Sequence, residues 1–589
     1  MPGIFGVIDS APVKSVRHRR ELIGIVDTMS MAMRYEPLYE ETRFTFDALG
    51  AYVGRVGFQQ ASEQPNDGTT DTVRTLTTGD HAGDATHIYE RFGERGLMRL
   101  CGISAGFIAD QTQRRCVLFT DRYGRERLFV HRHGSRTLFS SEAKAILAAA
   151  PETRSFDLEG LAEWIACGCT LGQQSLFRNI HICEAGTALV VDASGLTRHR
   201  YFDQAEFEQL EPVSEGEFLD GLSASLQTAV NTAARTAPRV AISLTGGLDS
   251  RMIMASLDAT AGTVPCYTFG SMYRTTADVA VGKQVASRCD QPHQVVALDT
   301  PFLLDIRGNL NHAVYVSDGY LGLSGAAELY LNRQARSIAP ARITGNWGGE
   351  LMRGVRAFKY EMPKGQFIDD SLTTAISRSA GAFFKTNTHP LSAALFHQIP
   401  LQGFGRHAIE RSQLSIRTPF LADDVVKWLY RQPESLRGSL LSATTVIGRR
   451  PHLLRIPTDR GLLGRGPVFG RRLSRRALIK AEYLTSHGAP DCLVKLAARL
   501  PQSMLETRFL GVDKFQHFRF WIRRELTAFV RDTLAPDATG DLRTLLDMRK
   551  VARMVDDHIA GRANFTNEID KVLTLAVAQR TLFRDIQAS

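Results

Sequence analysis

The chain has 589 residues, of which 43% are hydrophobic and 23% charged, ordinary values for a globular protein. Because single hydrophobic cores stop growing beyond about 250–300 residues, this length predicts two domains. The formal net charge of +9 would suit an anionic small molecule or a nucleic acid, or would serve only solubility. The arginines are spread along the chain instead of lying among stacking aromatic residues, so we expect no nucleic-acid partner.

The eight cysteines do not predict a disulfide framework. The close pair Cys167 and Cys169 has no second pair at a spacing typical of zinc sites, so we expect reduced thiols in a cytoplasmic protein. No apolar run reaches the roughly 18 residues of a membrane-spanning helix, and we expect no membrane partner. Residues 1–9 lack the basic lead-in of a signal peptide and are typical of a first β-strand.

The first 200 residues predict a β-rich unit. Short apolar or alternating runs, broken by glycines and charged turns, predict strands at 116–120, 127–131, 137–140 and 187–191. The polar, acidic stretch at 203–217 predicts a linker. We therefore place a first domain at residues 1–205 and a second at residues 215–589.

Strands and helices alternate in the second predicted domain. A helix at 218–233 leads into a buried strand at 240–244, and a Gly-rich turn with an apolar helix follows. Two more strands, at 263–269 and 294–298, flank a helix at 279–288. This alternation predicts a parallel, doubly wound sheet, and the pattern after about residue 400 is mostly helical.

The most informative stretch is the turn after the strand at 240–244, with the sequence Ser243-Leu244-Thr245-Gly246-Gly247-Leu248-Asp249-Ser250-Arg251. Two glycines allow bare backbone N–H groups to approach an anion, and the new helix points its positive end at the same place. Thr245 and Ser250 add hydroxyl donors. Asp249 suits a phosphate site only with a cation between the two groups. No Gly-Lys-Ser/Thr follows, so the turn is not a Walker P-loop.

This turn resembles the pyrophosphate-binding loop, Ser-Gly-Gly-hydrophobic-Asp-Ser-Ser, of ATP pyrophosphatases. The resemblance implies ATP and Mg²⁺ as cofactors, with cleavage of ATP between its α and β phosphates. Thr245 replaces the first serine of the pattern and keeps its hydroxyl. Arg251 replaces the last serine and either reaches the pyrophosphate or faces solvent.

Motifs elsewhere favour one group of these enzymes. Residues 121–129 (Asp-Arg-Tyr-Gly-Arg-Glu-Arg-Leu-Phe) and 138–147 (Leu-Phe-Ser-Ser-Glu-Ala-Lys-Ala-Ile-Leu) are similar to the glutaminase domain of asparagine synthetases. Residues 417–421 (Arg-Thr-Pro-Phe-Leu) are similar to Arg-Val-Pro-Phe-Leu-Asp in the synthetase half, and residues 558–562 fit its closing helices. Because the motifs occur in the family's order over nearly the whole chain, the chain is identified as a divergent member of the asparagine synthetase family.

The resemblance implies a fold for each domain. Residues 1–205 are expected to form an Ntn-hydrolase-like β-sandwich in αββα layers, a class II amidotransferase domain. Residues 215–589 are expected to form an adenine-nucleotide α-hydrolase-like (PP-loop, HUP) doubly wound parallel sheet with a helical C-terminal region.

The glutaminase-like domain lacks the nucleophile of the family. The family uses an N-terminal cysteine thiol that attacks the glutamine amide. Here Pro2 takes that place, and residues 1–8 contain no Cys, Ser or Thr. The family's glutamine-holding Asn-Gly-Glu strand is not recognisable between residues 50 and 80 either. We therefore expect a domain kept as a scaffold, without glutamine hydrolysis.

A second phosphate loop is recognisable at residues 344–351, Thr-Gly-Asn-Trp-Gly-Gly-Glu-Leu, where the family has Ser-Gly-Glu-Gly-(Ser/Ala)-Asp-Glu-Leu. Gly345 and Glu350 fit the pattern. Asn346 replaces a glutamate, and Gly349 replaces the magnesium-binding aspartate. Glu350 either takes over the metal or forms an ion pair with Arg353.

The resemblance then implies the site residues. Lys480, in a segment similar to the family's Lys-Glu-Gln-Phe-Ser-Asp-Gly, would stabilise charge on the reacting phosphorus, and Glu350 is the second catalytic residue. Asp249 and Glu350 are the expected metal ligands. Adenine would lie over the strand ends, because open α/β sheets bind ligands there. The expected nucleotide contacts are Leu244, Thr245, Gly246, Gly247, Asp249, Ser250, Phe269, Gly270 and Gly345.

The implied reaction joins a carboxylate to an amine. A small-molecule or peptide carboxylate is adenylated, pyrophosphate leaves, and an amine or ammonia then displaces AMP. β-Lactam synthetases and lasso-peptide cyclases share this architecture and also lack the cysteine, so intramolecular ring closure in natural product biosynthesis is an alternative. A tRNA- or nucleotide-modifying adenylating enzyme and an inactive scaffold are two others. Whether the chain forms a homodimer is left open.

Overall fold

The structure is a computed structural model. It describes residues 2–11, 15–59, 68–70, 72–235, 237, 239–355, 358–385, 389–458, 515–535 and 540–584. In these ranges no helix combines the length and the apolar character needed to cross a membrane.

The N-terminal strands form two antiparallel sheets. Their bounds are β1 Gly3–Asp9, β2 Tyr39–Phe46, β3 Ala51–Phe58, β4 Val73–Ala82, β5 Cys101–Asp110, β6 Arg115–Thr120, β7 Phe129–His133, β8 Arg136–Ser140, β9 His181–Ile182, β10 Thr187–Asp192 and β11 Gly195–Arg200. The first sheet has the order β2-β3-β1-β8-β7-β9, and the second has the order β11-β10-β6-β5-β4.

A third sheet follows further along the chain, and all of its strands are parallel. Its strands are β12 Val240–Ser243, β13 Cys266–Gly270, β14 His293–Ala297, β15 Ala341–Thr344 and β16 Ser415–Arg417, in the order β14-β13-β12-β15-β16. The predicted succession of an antiparallel β-rich part and a parallel sheet is confirmed. The Ntn-hydrolase-like and PP-loop fold types stay predictions.

Helices connect and cover these sheets. Those in the described residues are α1 Val16–Met33, α2 Ala85–Phe92, α3 Ala143–Ala149, α4 Leu158–Cys167, α5 Ala205–Glu208, α6 Glu215–Arg235, α7 Asp249–Ser256, α8 Ala277–Arg288, α9 Thr300–Leu304, α10 Ile306–Val316, α11 Leu323–Ile338, α12 Gly348–Arg353, α13 Asp370–Phe383, α14 Pro390–Ser392, α15 Phe404–Gln413, α16 Asp423–Tyr430, α17 Leu441–Ile447, α18 Phe518–Ile522, α19 Thr527–Thr533, α20 Met548–Ile559 and α21 Thr566–Leu582. The segment Ala393–Gln402 is π-helical.

The two antiparallel sheets pack face to face. Ile4 and Phe139 from the first sheet share a buried core with Leu76 and Phe107 from the second. The rings of Phe107 and Phe139 stack with their centroids 5.6 Å apart. Helix α1 packs on the other side of the first sheet and contacts α3 there.

The parallel sheet is covered on both faces because successive side chains of a strand point to opposite sides. In β12, Ala241 belongs to a core that includes Leu310 of α10, whereas Ile242 belongs to a core that includes Met252 of α7. The strand order reverses at β12, since β13 lies on one side of it and β15 on the other. Sheets of this kind bind ligands at that switch point, outside the carboxyl ends of the strands.

The predicted linker at 203–217 is not an extended connection. It contains α5, and Phe207 within it is buried, with its ring centroid 5.1 Å from Phe202 and 5.4 Å from Tyr430. An apolar side chain in the polar stretch thus docks the connection onto α16. The domain bounds at 205 and 215 stay a prediction.

The strand predicted at 127–131 is displaced to Phe129–His133. The reason is Arg127, whose buried guanidinium donates hydrogen bonds to the carbonyl oxygens of Pro400 and Leu401, at 3.2 and 3.3 Å. This residue therefore joins the N-terminal sheets to the second half of the chain instead of extending the strand.

Candidate functional site

The Gly-rich turn between β12 and α7 is held in shape by its own side chains. The Thr245 N–H donates to Ser250 Oγ at 3.1 Å, and the two hydroxyl oxygens lie 3.2 Å apart. The Gly246 N–H donates to a carboxylate oxygen of Asp278, at the start of α8, at 2.7 Å. The Ser250 hydroxyl, predicted as a donor to an anion, thus also closes the turn. Asp278 belongs to none of the motifs that predicted the site.

The segment between β15 and α12 lies directly against this turn. A Cβ atom on Gly345 would lie 2.5 Å from the backbone nitrogen of Ser250, and one on Gly348 would lie 2.9 Å from Cβ of Asp249. Any larger residue would push the two segments apart. Trp347 between them has a φ of 72°, in the left-handed region. The two predicted phosphate loops therefore meet at the N-terminus of α7.

The two predicted metal ligands lie at this junction. Both carboxylate oxygens of Asp249 are 3.0 Å from the same terminal nitrogen of Arg353. Arg353 was one of two partners considered for Glu350, and it forms an ion pair with Asp249 instead. Burial raises the pKa of Glu350, and the negative charge of Asp249 raises it further. Two neighbouring carboxylates that repel each other are a donor set that suits a hard divalent cation.

Arg251 has neither of the roles considered for it. Its side chain is 1% exposed, so it does not face solvent. Its guanidinium donates to the carbonyl oxygens of Leu453 and Ile456, at 3.1 and 2.6 Å, and contacts that of Pro457 at 3.3 Å. Arg251 thus fastens α7 to the segment after α17, a structural role that the Ser-to-Arg departure from the loop pattern reflects.

A cavity of about 420 Å³ lies at the carboxyl ends of β12, β13 and β15. Its aromatic side includes Phe269 and Phe515, whose ring centroids are 5.9 Å apart. Its polar side includes Thr245, Asp278 and Asn346, next to the two loops. An aromatic wall at one end and a glycine-rich turn at the other fit an adenine nucleotide better than a wholly apolar or wholly charged ligand.

Two ion pairs line the same cavity, the first buried and the second with an exposed arginine, and neither was predicted from the sequence. Arg342 and Glu410 approach to 2.6 Å, and Arg406 and Glu328 approach to 2.9 Å. Burial raises the pKa of Glu328, whereas the charges of Arg342 and Arg406 outweigh burial at Glu410 and lower its pKa. The position of Arg342 could have indicated a buried ion pair from the sequence, because this charged residue interrupts an otherwise apolar strand.

The predicted nucleotide contacts fall into three groups. Leu244, Thr245 and Phe269 line the cavity, and Gly246, Gly247, Asp249, Ser250 and Gly345 form the adjoining loop junction. Gly270 ends β13, where a Cβ atom would lie 2.7 Å from Val295 Cγ1, so strand packing already accounts for a glycine there. Lys480 lies outside the described residues, and its role stays a prediction.

The N-terminal position lies at the interface between the two halves of the chain. The carbonyl oxygen of Pro2 accepts hydrogen bonds from Arg411 Nη2 at 3.4 Å and from Thr78 Oγ1 at 3.3 Å. Arg411 also pairs with the buried Glu126, to which His407 contributes a further contact at 2.9 Å. Pro2 is therefore held between β4 and α15 by its carbonyl oxygen.

Comparisons with known proteins address both halves. A glutamine amidotransferase domain model matches residues 72–202, and an asparagine synthase model matches residues 221–411. The asparagine synthetase [glutamine-hydrolyzing] 1 of Bacillus subtilis is 20% identical over 521 residues, which cover 83% of this chain and 79% of that protein.

Two solved structures also match, each at 10% identity. One is described as the allosteric regulatory enzyme of purine biosynthesis, with a TM-score of 0.24 over 50% of this chain and 82% of that one. The other is glutamine phosphoribosylpyrophosphate amidotransferase from B. subtilis complexed with ADP and GMP, with a TM-score of 0.23 over 74% and 95%. The two domain matches, in the order that the motifs predict, and the Bacillus relative support a member of the asparagine synthetase family, with an ATP-dependent ligase or amidotransferase kind of activity.

Proposed function

We propose that the protein adenylates a substrate carboxylate with ATP, releases pyrophosphate, and lets an amine or ammonia displace AMP to form an amide. The observation that carries this proposal is the meeting of the two glycine loops beside the cavity over the parallel sheet. The triphosphate would lie along residues 245–250 and the adenine toward Phe269 and Phe515.

The turn suits a pyrophosphate leaving group. A Cβ atom on Gly247 would have only Thr245 Oγ1 as a neighbour, at 3.5 Å, so this side of the turn has room for an anion. The first backbone N–H groups of α7 point toward the same space and carry the positive end of the helix dipole. Arg353 adds a guanidinium at the junction.

Asp249 and Glu350 would hold the Mg²⁺ ion that the family implies. Mg²⁺ usually takes one or two protein carboxylates together with phosphate oxygens, so this pair fits it. When bound, the ion would neutralise charge on the departing pyrophosphate. Arg353 keeps the Asp249 carboxylate directed at the loop junction. Lys480 is proposed to stabilise charge on the reacting phosphorus.

The chemistry balances without another reactant. A carboxylate oxygen of the substrate attacks the α-phosphorus, and the bond from that phosphorus to the bridging oxygen of the β-phosphate breaks. The amine nitrogen then attacks the acyl carbon, AMP leaves, and the amine loses a proton. The charged wall formed by Arg342, Glu410, Arg406 and Glu328 supports a polar acid as substrate.

We propose that glutamine is not the nitrogen source, because Pro2 offers no thiol. The nitrogen would come from ammonia or from an amine on a substrate. An amine on the molecule that carries the carboxylate would give ring closure, the reaction type of β-lactam synthetases and lasso-peptide cyclases. The same site would serve the intermolecular and the intramolecular reaction. The two are distinguished by whether turnover requires an added amine or ammonia.

Product analysis tests the proposal. The protein is incubated with ATP, Mg²⁺ and a panel of carboxylic acids, with ammonium, with glutamine, or with neither. AMP and pyrophosphate in equal amounts, formed only with an acid, are the expected products. ADP and phosphate would contradict the cleavage site, and glutamate formed from glutamine at the turnover rate would contradict the nitrogen source. Turnover of an acid without added nitrogen would identify the intramolecular version. AMP release that depends on RNA would favour the nucleotide-modifying alternative.

A further inference from the structure

Strand β7 of the N-terminal sheet carries two histidines on one side, next to a glutamate. His131 and His133 are two residues apart, so their side chains leave the same face of the strand. Glu152 lies in the short helical turn Pro151–Thr153 after α3. His131 Nε2 lies 3.3 Å from Glu152 Oε1, and His133 Nδ1 lies 3.7 Å from the same oxygen. All three ligand atoms lie within 4.8 Å of one another.

A backbone hydrogen bond fixes the orientation of the His131 ring. Its side chain is 3% exposed, and Nδ1 lies 2.8 Å from the backbone carbonyl oxygen of Asn179. A carbonyl oxygen only accepts, so Nδ1 carries the proton and the neutral ring presents the lone pair of Nε2. That lone pair faces the Glu152 carboxylate, which is also an acceptor. Two acceptors at this distance require a proton or a metal ion between them.

A metal ion fits this arrangement well. A histidine whose second ring nitrogen donates to a backbone carbonyl is the usual form of a metal ligand. With zinc–ligand bonds of roughly 2.0–2.1 Å, neighbouring ligands of a tetrahedral site are about 3.3 Å apart. The observed separations of 3.3 and 3.7 Å are close to that value. His133 is 75% exposed, so its ring can turn the remaining fraction of an ångström at little cost.

We propose that His131, His133 and Glu152 bind a divalent transition-metal ion of the Zn²⁺ class, with the fourth position open to solvent. Two imidazoles and one carboxylate select such an ion over Mg²⁺, which prefers oxygen ligands. The ion links β7 to the turn that follows α3, and it lies on a different sheet from the nucleotide cavity. The ion therefore stabilises the N-terminal domain and takes no part in the ligase chemistry.

The test is Zn²⁺ binding to the full-length protein after chelator treatment, measured by competition with a chromophoric chelator. The variants are His133→Ala and Glu152→Gln, both at exposed or half-exposed positions that leave the core intact. His199→Ala, an exposed histidine on β11, is the matched control. Circular dichroism and the melting temperature without metal show that each variant folds.

We expect the parent and His199→Ala to bind one Zn²⁺ more than either site variant, or to bind it at least about tenfold more tightly. Zn²⁺ should raise the melting temperature of the parent and of the control but not of the site variants. Co²⁺ in place of Zn²⁺ should give the absorption bands of a tetrahedral site in the parent and the control. Equal stoichiometry and affinity in all four proteins would overturn the proposal and leave a protonated His131 paired with Glu152.

Discussion

Gly345 and Asp249 illustrate how single residues determine the candidate site. Gly345 lets the segment after β15 approach the backbone of Ser250 to a distance that no Cβ atom tolerates. Asp249 is the first residue of α7, and both of its carboxylate oxygens accept hydrogen bonds from Arg353. The geometry of the loop junction thus depends on a missing side chain and on one ion pair.

Gly345→Ala should displace the two loops from each other, because the new Cβ would lie 2.5 Å from the Ser250 nitrogen. A misplacement of about 1 Å can cost about a hundredfold in rate, so we expect a loss of that order in ATP-dependent AMP formation. Gly216→Ala is the control, since a Cβ there meets nothing within 4 Å. Parental turnover in Gly345→Ala would show that the junction does not position the nucleotide.

At the scale of elements, His558 joins three of the C-terminal helices. It lies near the end of α20, and its Nε2 hydrogen-bonds to the carbonyl oxygen of Arg519 in α18 at 3.1 Å. Its Nδ1 accepts from the Phe565 N–H, just before α21, at 3.0 Å. One nitrogen donates and the other accepts, so the packing requires a neutral ring. Burial lowers the pKa of His558 to about 4.

This pKa predicts an acid-side loss of stability. Below pH 6.5 His558 binds a proton in the unfolded chain but stays neutral in the folded chain until the pH approaches 4. The contribution of His558 to the free energy of unfolding is therefore full above pH 6.5 and falls as the pH drops toward 4. The shift corresponds to roughly 3 kcal/mol. The melting temperature of the parent should therefore fall more steeply between pH 6.5 and 4 than that of His558→Gln, and His199→Gln should keep the parental slope. Parallel curves for the parent and His558→Gln would contradict the lowered pKa.

Local patterns in the sequence were enough to predict the elements that carry the site. The apolar run before Gly246 and Gly247 predicted β12 and the start of α7, because a buried strand and a glycine turn are encoded within ten residues. The partner of Asp249 was not predictable in this way. Arg353 lies 104 positions further on, and only the approach of β15 to β12 brings it there. The ion pair of Arg342 with Glu410 depends on tertiary packing in the same way.

At the scale of the whole molecule, the two halves share their interior. The core that contains Val26 of α1 continues to Leu310 and Val577, and the core that contains Phe119 continues to Phe420. Buried charges also cross between the halves. Burial alone would raise the pKa of Glu126, but the charge of Arg411 and the hydrogen bond from His407 hold it at about 2.

We therefore expect a single cooperative transition in calorimetry. Glu126→Gln removes a buried charge between Arg411 and His407, which typically costs about 3–5 kcal/mol, and should lower the temperature of that transition as a whole. Glu21→Gln, at an exposed site of α1 where the carboxylate pairs with Arg136, should have a smaller effect. Two separate transitions, with Glu126→Gln shifting only one of them, would contradict a shared interior.

ATP–pyrophosphate exchange in Asp249→Asn tests the proposed ligase site most directly. Asparagine keeps the size of the side chain and removes its charge. The ion pair with Arg353 is lost, but it is partly exposed, so the melting temperature should fall only slightly. Exchange in the presence of Mg²⁺ and the substrate acid should fall on the order of a thousandfold or more, because charge stabilisation by a held metal is worth several kcal/mol. Asp424→Asn, the same change at an exposed position of α16, should exchange at the parental rate. Near-parental exchange in Asp249→Asn would place the metal elsewhere and contradict the assignment of this loop.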